Sequence, residues 1–419
     1  MQFRSLLNGW SKVYAPSLGC ATVFILIILG FQPSVGAVAQ MVQVQTASAN
    51  ASTVSATLSP AAKPKHLLII VCASRNAKTF TTPTGFTLAK SDFATAPSQA
   101  IYYKVAVGGE TSFSCAGGST SRRGIQLYEY SGTATTTPLE TVNAGTSTGT
   151  STSAASGTVT TTSANTLLLA AVVAQSSGTG ISAWSNSFVE RADFTNTARF
   201  GGADRYPITA GSYSTVATMS VSSTWVGQIA AYKLLPIELS ADIVDASNVS
   251  VSSPSVAFPA KTFDFSCQSS VGTLGVTAQQ LRVVNTTSNA LWSLKVAATN
   301  PTDTWKDSGG TNLYDFNDPS GSGCTDGADT DSVGGQLSVD PSAATVTADS
   351  SCSSTGVTKG TAAAFSEGAT DSITLLSGTA TAELNCMWNT TGITMTQKIP
   401  AEAHNTSYSL GLTITLTAN

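Results

Sequence analysis

The residues best placed to do chemistry lie between Tyr314 and Asp331. Asp315, Asp318, Asp326, Asp329 and Asp331, together with Asn317, fall within 17 residues, and Gly321, Gly323 and Gly327 let the segment bend. Carboxylates this close repel one another, and a divalent cation relieves the repulsion. Calcium takes six to eight oxygen ligands from a flexible loop, so these six residues are read as a calcium site. The stretch lacks the twelfth-position Glu of an EF-hand loop. The alternative is a solvated acidic turn whose Asp side chains cap their own backbone.

No catalytic residue is assigned. Gly145-Thr146-Ser147-Thr148-Gly149 has the spacing of a nucleophile elbow, but it sits in a Thr/Ser/Gly run without the strand and helix that such an elbow requires. His66 and His404 are the two histidines, and both are expected at the surface. A hydrolase built on two carboxylates needs neither histidine nor serine, but the acids of the first half, such as Asp92, Asp193 and Asp204, are scattered. Trp225 and Tyr213 are expected in the core. Trp184, in the Gly/Ser-rich turn 180–187, is the aromatic residue expected to be exposed and able to stack on a sugar.

The N-terminus sets the compartment. Residues 18–31 are mostly apolar, Arg4 and Lys12 precede them, and Ala37-Val38-Ala39 fits the small-x-small cleavage rule. Residues 1–39 are therefore read as an export signal, too short in its apolar part for a span of about 20 residues. Contact with a membrane would come only through an uncleaved N-terminus. Export favours disulfides, and six cysteines follow the signal. Cys72 and Cys115 fall in the first half and Cys267, Cys324, Cys352 and Cys386 in the second. Cys72–Cys115 is expected in the first domain. Of three ways to pair the other four, Cys324–Cys352 and Cys267–Cys386 are chosen. No pair has C-x-x-C spacing, which argues against zinc and thioredoxin-like chemistry.

The elements that must position these residues are strands. Only 11% of the chain is charged, and Ser, Thr, Ala, Val and Gly dominate, a composition that suits β-sandwiches. Residues 1–239 carry 14 Lys and Arg against 8 Asp and Glu, while residues 240–419 carry 6 against 16. That asymmetry marks a boundary near 240. The basic half has no dense Lys/Arg stripe, so nucleic acid is not expected as a partner. Within it a pattern repeats at an offset of 100 to 102. Leu67-Leu68-Ile69 returns as Leu167-Leu168-Leu169, Phe86 as Phe188, and Gln126, Leu127 and Tyr130 as Gln228, Ile229 and Tyr232. One β-rich module is used twice. The expected layout is a signal (1–39), a flexible leader (40–65), a sandwich of two four-strand copies (66–236, copies 66–132 and 165–235) and a second β-sandwich (237–419). Gly201-Gly202 is read as an interruption between strands, and Leu281 to Val296 as a hairpin around residues 285–289. Tyr408, Leu410, Leu412, Ile414 and Leu416 form a last strand with one buried face.

Gly85-Phe86-Thr87-Leu88, Tyr102-Tyr103-Lys104-Val105 and the run from Trp225 to Tyr232 resemble the jelly-roll modules of bacterial surface and phage tail-associated proteins. Trp292-Ser293-Leu294 with the last strand resembles the WxL cell-wall domain of Gram-positive surface proteins. That resemblance implies non-covalent attachment to peptidoglycan through Trp292 and Leu294. The family's second W-x-L falls where this chain has Ile414-Thr415-Leu416. The resulting expectation is an all-β, exported cell-surface protein, structural or adhesive, meeting a cell-wall glycan or a host or neighbouring surface. A carbohydrate-binding protein is the alternative, and a glycan-processing enzyme ranks behind both.

Overall fold

The computed structural model describes residues 21–29, 40–176, 178, 180–262, 264–327, 332–401 and 403–419. Among the described residues the structure is all-β, interrupted by one short 3-10 turn at Ser320–Ser322. Two β-sandwiches follow one another, as expected.

β1 (Ala21–Leu29) belongs to the second sandwich. In the first, β2 (Gln40–Thr57), β3 (Leu67–Ser74), β4 (Thr87–Asp92), β5 (Ser98–Val105) and β6 (Ser112–Ser131) form one antiparallel sheet in the order β2-β6-β3-β5-β4. After β7 (Leu139–Val142) come β8 (Ser147–Thr161), β9 (Thr166–Ala174), β10 (Ile181–Trp184), β11 (Val189–Thr195), β12 (Arg199–Arg205) and β13 (Gly211–Lys233). They form a second sheet in which β13, β9, β12 and β11 lie side by side, and β7, β8 and β10 all pair with β13. The path β8-β13-β9-β12-β11 repeats β2-β6-β3-β5-β4. Register agrees: Leu67 and Cys72 face Tyr130 and Ile125, and Leu167 and Val172 face Tyr232 and Gly227.

Every residue of β3 and β9 is buried, because both faces of each central strand are covered. Leu67, Ile69 and Val71 meet Leu167, Leu169 and Ala171 between the sheets. Leu68, Ile70 and Cys72 point the other way, under Phe80, Phe86, Val54 and Cys115. A strand covered on two faces reads as a continuous apolar run instead of an alternating one, which explains Leu67 to Val71. The outer cover is made by the long antiparallel pair β2 and β6, whose far end curls back over its own sheet past a register shift between Ala51 and Thr53. The Cys72–Cys115 disulfide ties that arm to the central strand. In the second copy Val172 and Ala217 take the equivalent places in one buried cluster.

Three expectations change here. Residues 40–57 are no flexible leader but β2, the longest partner of β6. Their Ser, Thr and Ala side chains lie on a half-exposed arm, which needs no apolar alternation. The first copy forms one five-stranded sheet and the second one seven-stranded sheet, not four strands each, whereas the strands of a jelly roll pass from sheet to sheet. Gly201-Gly202 lies inside β12, not between strands. A Cβ on Gly202 would meet the Tyr128 hydroxyl and Gln126 Oε1 of the facing sheet, so glycine is what permits their approach.

The second sandwich contains β14 (Leu239–Val244), β15 (Ser255–Phe258), β16 (Gln268–Leu274), β17 (Gln280–Asn285), β18 (Trp292–Ala298), β19 (Trp305–Asp307), β20 (Leu313–Tyr314), β21 (Gln336–Asp340), β22 (Thr345–Ala348), β23 (Val357–Lys359), β24 (Ala363–Ala364), β25 (Ser372–Gly378), β26 (Cys386–Thr391), β27 (Ile393–Ile399) and β28 (Tyr408–Ala418). One sheet runs β15-β1-β28-β18-β25-β23, with β19 and β20 beside β28. The others run β14-β17-β26-β22 and β16-β27-β21-β24. All three pack on one continuous core. The last strand buries Tyr408, Leu410, Leu412, Ile414 and Leu416, as its alternation requires. β17 and β18 are not a hairpin. They lie in different sheets, and the corner between them is held by Asn285 and Thr287 side-chain bonds to Asn289 O.

Candidate functional site

The acidic segment is built around Asp318. Residues 315–318 run beside 334–337, through Asp315 N–H to Gly334 O, Asp318 N–H to Gly335 O and Leu337 N–H to Phe316 O. Asp318 is buried. Its Oδ1 accepts from Ser320 N–H at 2.8 Å and its Oδ2 from Gly327 N–H at 2.6 Å. The carboxylate thus clasps both ends of the turn it starts, as Asp does in capping its own backbone. Asp315 is buried and its Oδ1 accepts from Phe316 N–H. Asn317 Nδ2 donates to Pro301 O at 3.1 Å. Asp326 is exposed, and Asp329 and Asp331 lie outside the described residues. Among the described residues, the one group of three candidate ligand residues within 4.8 Å is Cys352, Glu383 and Cys386, and its two sulfurs are bonded to each other.

The disulfides of the second sandwich are Cys267–Cys324 and Cys352–Cys386, not the pairs chosen from sequence. Sheet neighbours decide this. Cys267 precedes β16, whose Gln268 faces Ile399 of β27. Gln336 of β21 faces Lys398 on the other side of β27, and the turn carrying Cys324 lies against Gln336. In the adjoining sheet Ala348 faces Trp388, so Cys352, four residues after Ala348, arrives at Cys386. Cys72–Cys115 is as expected. With sequence separations of 43, 57 and 34 between partners, the chain-entropy relation gives each link about 4 kcal/mol.

Trp292 and Leu294 do lie on one face of a strand, but that face is the core. Both have no exposure, and the Trp292 ring packs 5.8 Å from Trp388. They are anchor residues of the fold and present no surface to a wall polymer.

Trp184 is half-buried at the edge of the first sandwich. Gly201 makes room chiefly for Ile181, whose Cδ1 a Cβ there would overlap, and the indole lies 3.2 Å from the same point. Its Nε1 donates to Glu190 Oε2 at 3.1 Å. Tyr213 packs on the same buried cluster around Phe188 and Ala203, with the Arg205 guanidinium 5.2 Å from its ring. Arg205 donates to Asn186 O and Asn186 Nδ2 to Ser214 O. Burial, then the charge of Asp193, raise the Glu190 carboxyl, against the indole hydrogen bond that lowers it. The patch joins two aromatic faces to one acidic, one basic and one amide group. Tyr213 is therefore only partly the core residue expected, while Trp225 is buried.

A cleft of about 850 Å³ separates the sandwiches. Lys63 meets Glu383 at 2.8 Å and Lys65 meets Asp349 at 2.6 Å across it. His66 lines its floor and is buried, contrary to the surface position expected; its Nδ1 lies 2.6 Å from Glu129 Oε1. Glu129 also accepts from Lys63 N–H and Gln43 Nε2. Burial acts to raise its carboxyl, but the bonds from His66, Lys63 and Gln43 outweigh that and hold it below its ordinary value. Periodicity could not find this pair, because 63 residues separate its members. His404 is exposed as expected.

No protein-family model, curated protein or solved structure matches this chain.

Proposed function

We propose that the protein is an exported surface protein with a structural or adhesive role. The observation that carries this reading is the pairing of Cys72, Cys115, Cys267, Cys324, Cys352 and Cys386 into three disulfides, a pattern of oxidising compartments. The signal-like residues 1–39 point the same way, and no helix among the described residues is long and apolar enough to cross a membrane. Alkylation of the protein taken from its native cells, without reductant, tests it. Six blocked sulfurs are expected, and six reactive thiols would overturn the reading.

A second reading is favoured by Trp184. A half-exposed indole whose N–H is anchored to Glu190, over the same buried cluster that carries Tyr213 with Arg205 on its ring, has the mixture of ring faces and polar groups that holds a sugar. On this reading the first sandwich contacts glycans of a cell wall or of a host or neighbouring surface. A glycan array with the full chain and with Trp184→Ala tests it. Binding lost in the variant supports it, and binding equal in both, or absent from both, removes it.

A further inference from the structure

β15 is held in its sheet by one strand. It pairs with β1 at four positions, from Ala21 opposite Phe258 to Phe24 opposite Ser255, and among the described residues no other strand is hydrogen-bonded to it. Along its other edge β1 runs parallel to β28 at eight positions, from Thr22 opposite Ser409 to Leu29 opposite Leu416. β1 therefore fills a slot one strand wide, between the edge of β28 and the isolated β15. The slot belongs to the core, since Val256, Phe258, Leu410, Leu412 and Ile414 on its two walls are buried with the strand in place. The seated sequence is Ala-Thr-Val-Phe-Ile-Leu-Ile-Ile-Leu, nine residues without a charge.

Those nine residues lie upstream of Ala37-Val38-Ala39, inside the segment that reads as a cleaved signal. On the exported reading, the strand that completes this sheet is the strand that cleavage after Ala39 would remove. Its loss leaves β28 with a row of unpaired backbone N–H and C=O groups, and β15 with no partner. A sheet edge of this kind takes up an extended peptide through main-chain hydrogen bonds, with side-chain fit giving selectivity.

We propose that the slot between β15 and β28 is a strand-acceptor site. Once residues 1–39 are cut, it receives an uncharged, apolar, extended segment of about nine residues, parallel to β28, from a separate polypeptide. The proposal rests on the exported reading above and names how such a protein is joined to its neighbour in a surface assembly. β1 is the stand-in for that donated strand.

The test uses the full chain with a protease site placed within residues 30–39, cut after folding. A fluorescent peptide with the sequence of residues 21–29 is then added, beside the same peptide carrying Ile25→Pro and Ile27→Pro, which removes two backbone donors. The expected result is saturable one-to-one exchange of the plain peptide into the cut protein, with a rise in Tm, and no exchange of the proline peptide. Equal binding of both peptides, or a cut protein whose Tm is the same with and without the segment, would overturn the proposal. N-terminal sequencing of the exported protein decides the cleavage separately: a chain that begins at Gln40 supports it, and one that retains residues 21–29 overturns the need for an outside strand while leaving the peptide result to stand for the slot.

Discussion

Gln126 and Gln228 occupy equivalent places in the two copies of the first sandwich and reach across it in opposite directions. Gln126 faces Val71 in its own sheet, and its Nε2 donates to Gly201 O of β12 at 3.2 Å. Gln228 faces Ala171, and its Nε2 donates to Asp92 Oδ2 at 2.7 Å and Gln99 O at 3.2 Å on the first sheet. Both are buried. An approximate two-fold axis thus passes between the sheets, with one amide cross-link on each side.

These cross-links are unequal, because only Gln228 meets a carboxylate. Gln228→Leu should cost about 2–3 kcal/mol, by leaving Asp92 without its buried donor, and Gln126→Leu about 1–2 kcal/mol. Urea unfolding of the two variants measures the difference, and the reverse order would show that the charge at Asp92 is not what sets it.

The symmetry fails at the neighbouring tyrosines. Tyr130 donates to Asp204 Oδ2 at 3.1 Å. Its counterpart Tyr232 packs edge-on against Tyr103, and its buried hydroxyl has no hydrogen-bond partner among the described residues. Tyr232→Phe should leave stability unchanged or raise it by up to about 1 kcal/mol, while Tyr130→Phe should lose about 1–2 kcal/mol. Thermal unfolding of both, in one buffer, checks the contrast.

Two buried carboxyls give opposite pH dependences. Glu129 is held below its ordinary value of 4.5, so its contribution is present above that pH and is lost as pH falls through the lowered value. The stability gap between the wild type and Glu129→Gln should therefore shrink below about pH 4.5. Asp204 is raised above 3.8 by burial, which the charge and hydrogen bond of Arg191 and the Tyr130 and Tyr206 hydroxyls only partly offset. Its folded form holds the proton longer than the unfolded chain, so stability falls as pH rises from 3.8 through the raised value. The gap between the wild type and Asp204→Asn should narrow over that interval. Urea unfolding from pH 3 to 7 reads both slopes.

Asp318 separates the two readings of the acidic segment. As a backbone clasp, it should cost about 2–3 kcal/mol when changed to Ala, and by the same amount in millimolar calcium and in chelator. A loss that appears only when calcium is present would instead make Asp318 an ion ligand. Calorimetry of the full chain under both conditions supplies the comparison.

The sequence made the central strands and the duplication visible, because Leu67–Val71 and Leu167–Leu169 are buried on both faces and recur as apolar runs one hundred residues apart. β28 was visible through its strict alternation. β2 and β8 were hidden because Ser, Thr and Ala on a half-exposed arm leave no apolar period. The W-x-L spacing placed Trp292 and Leu294 on one face but could not say which face is outward. Cysteine pairing and the His66–Glu129 contact depend on which strands lie side by side, a property of the assembled sheets that spacing along the chain does not carry.

Keeping each copy in its own sheet also orders events in time. A chain delivered from its N-terminus can close all the backbone ladders of β2 to β6 before β9 has arrived. The face bearing Leu67, Ile69, Val71 and Ile101 then waits, greasy and uncovered, until the second copy folds onto it. During that interval another chain in the same state offers the same face, so crowding of half-synthesised molecules favours sheet-to-sheet clumping between them. Yield of folded protein should consequently depend on how fast residues 166–233 follow residues 40–131, more than on the stability of the finished sandwich.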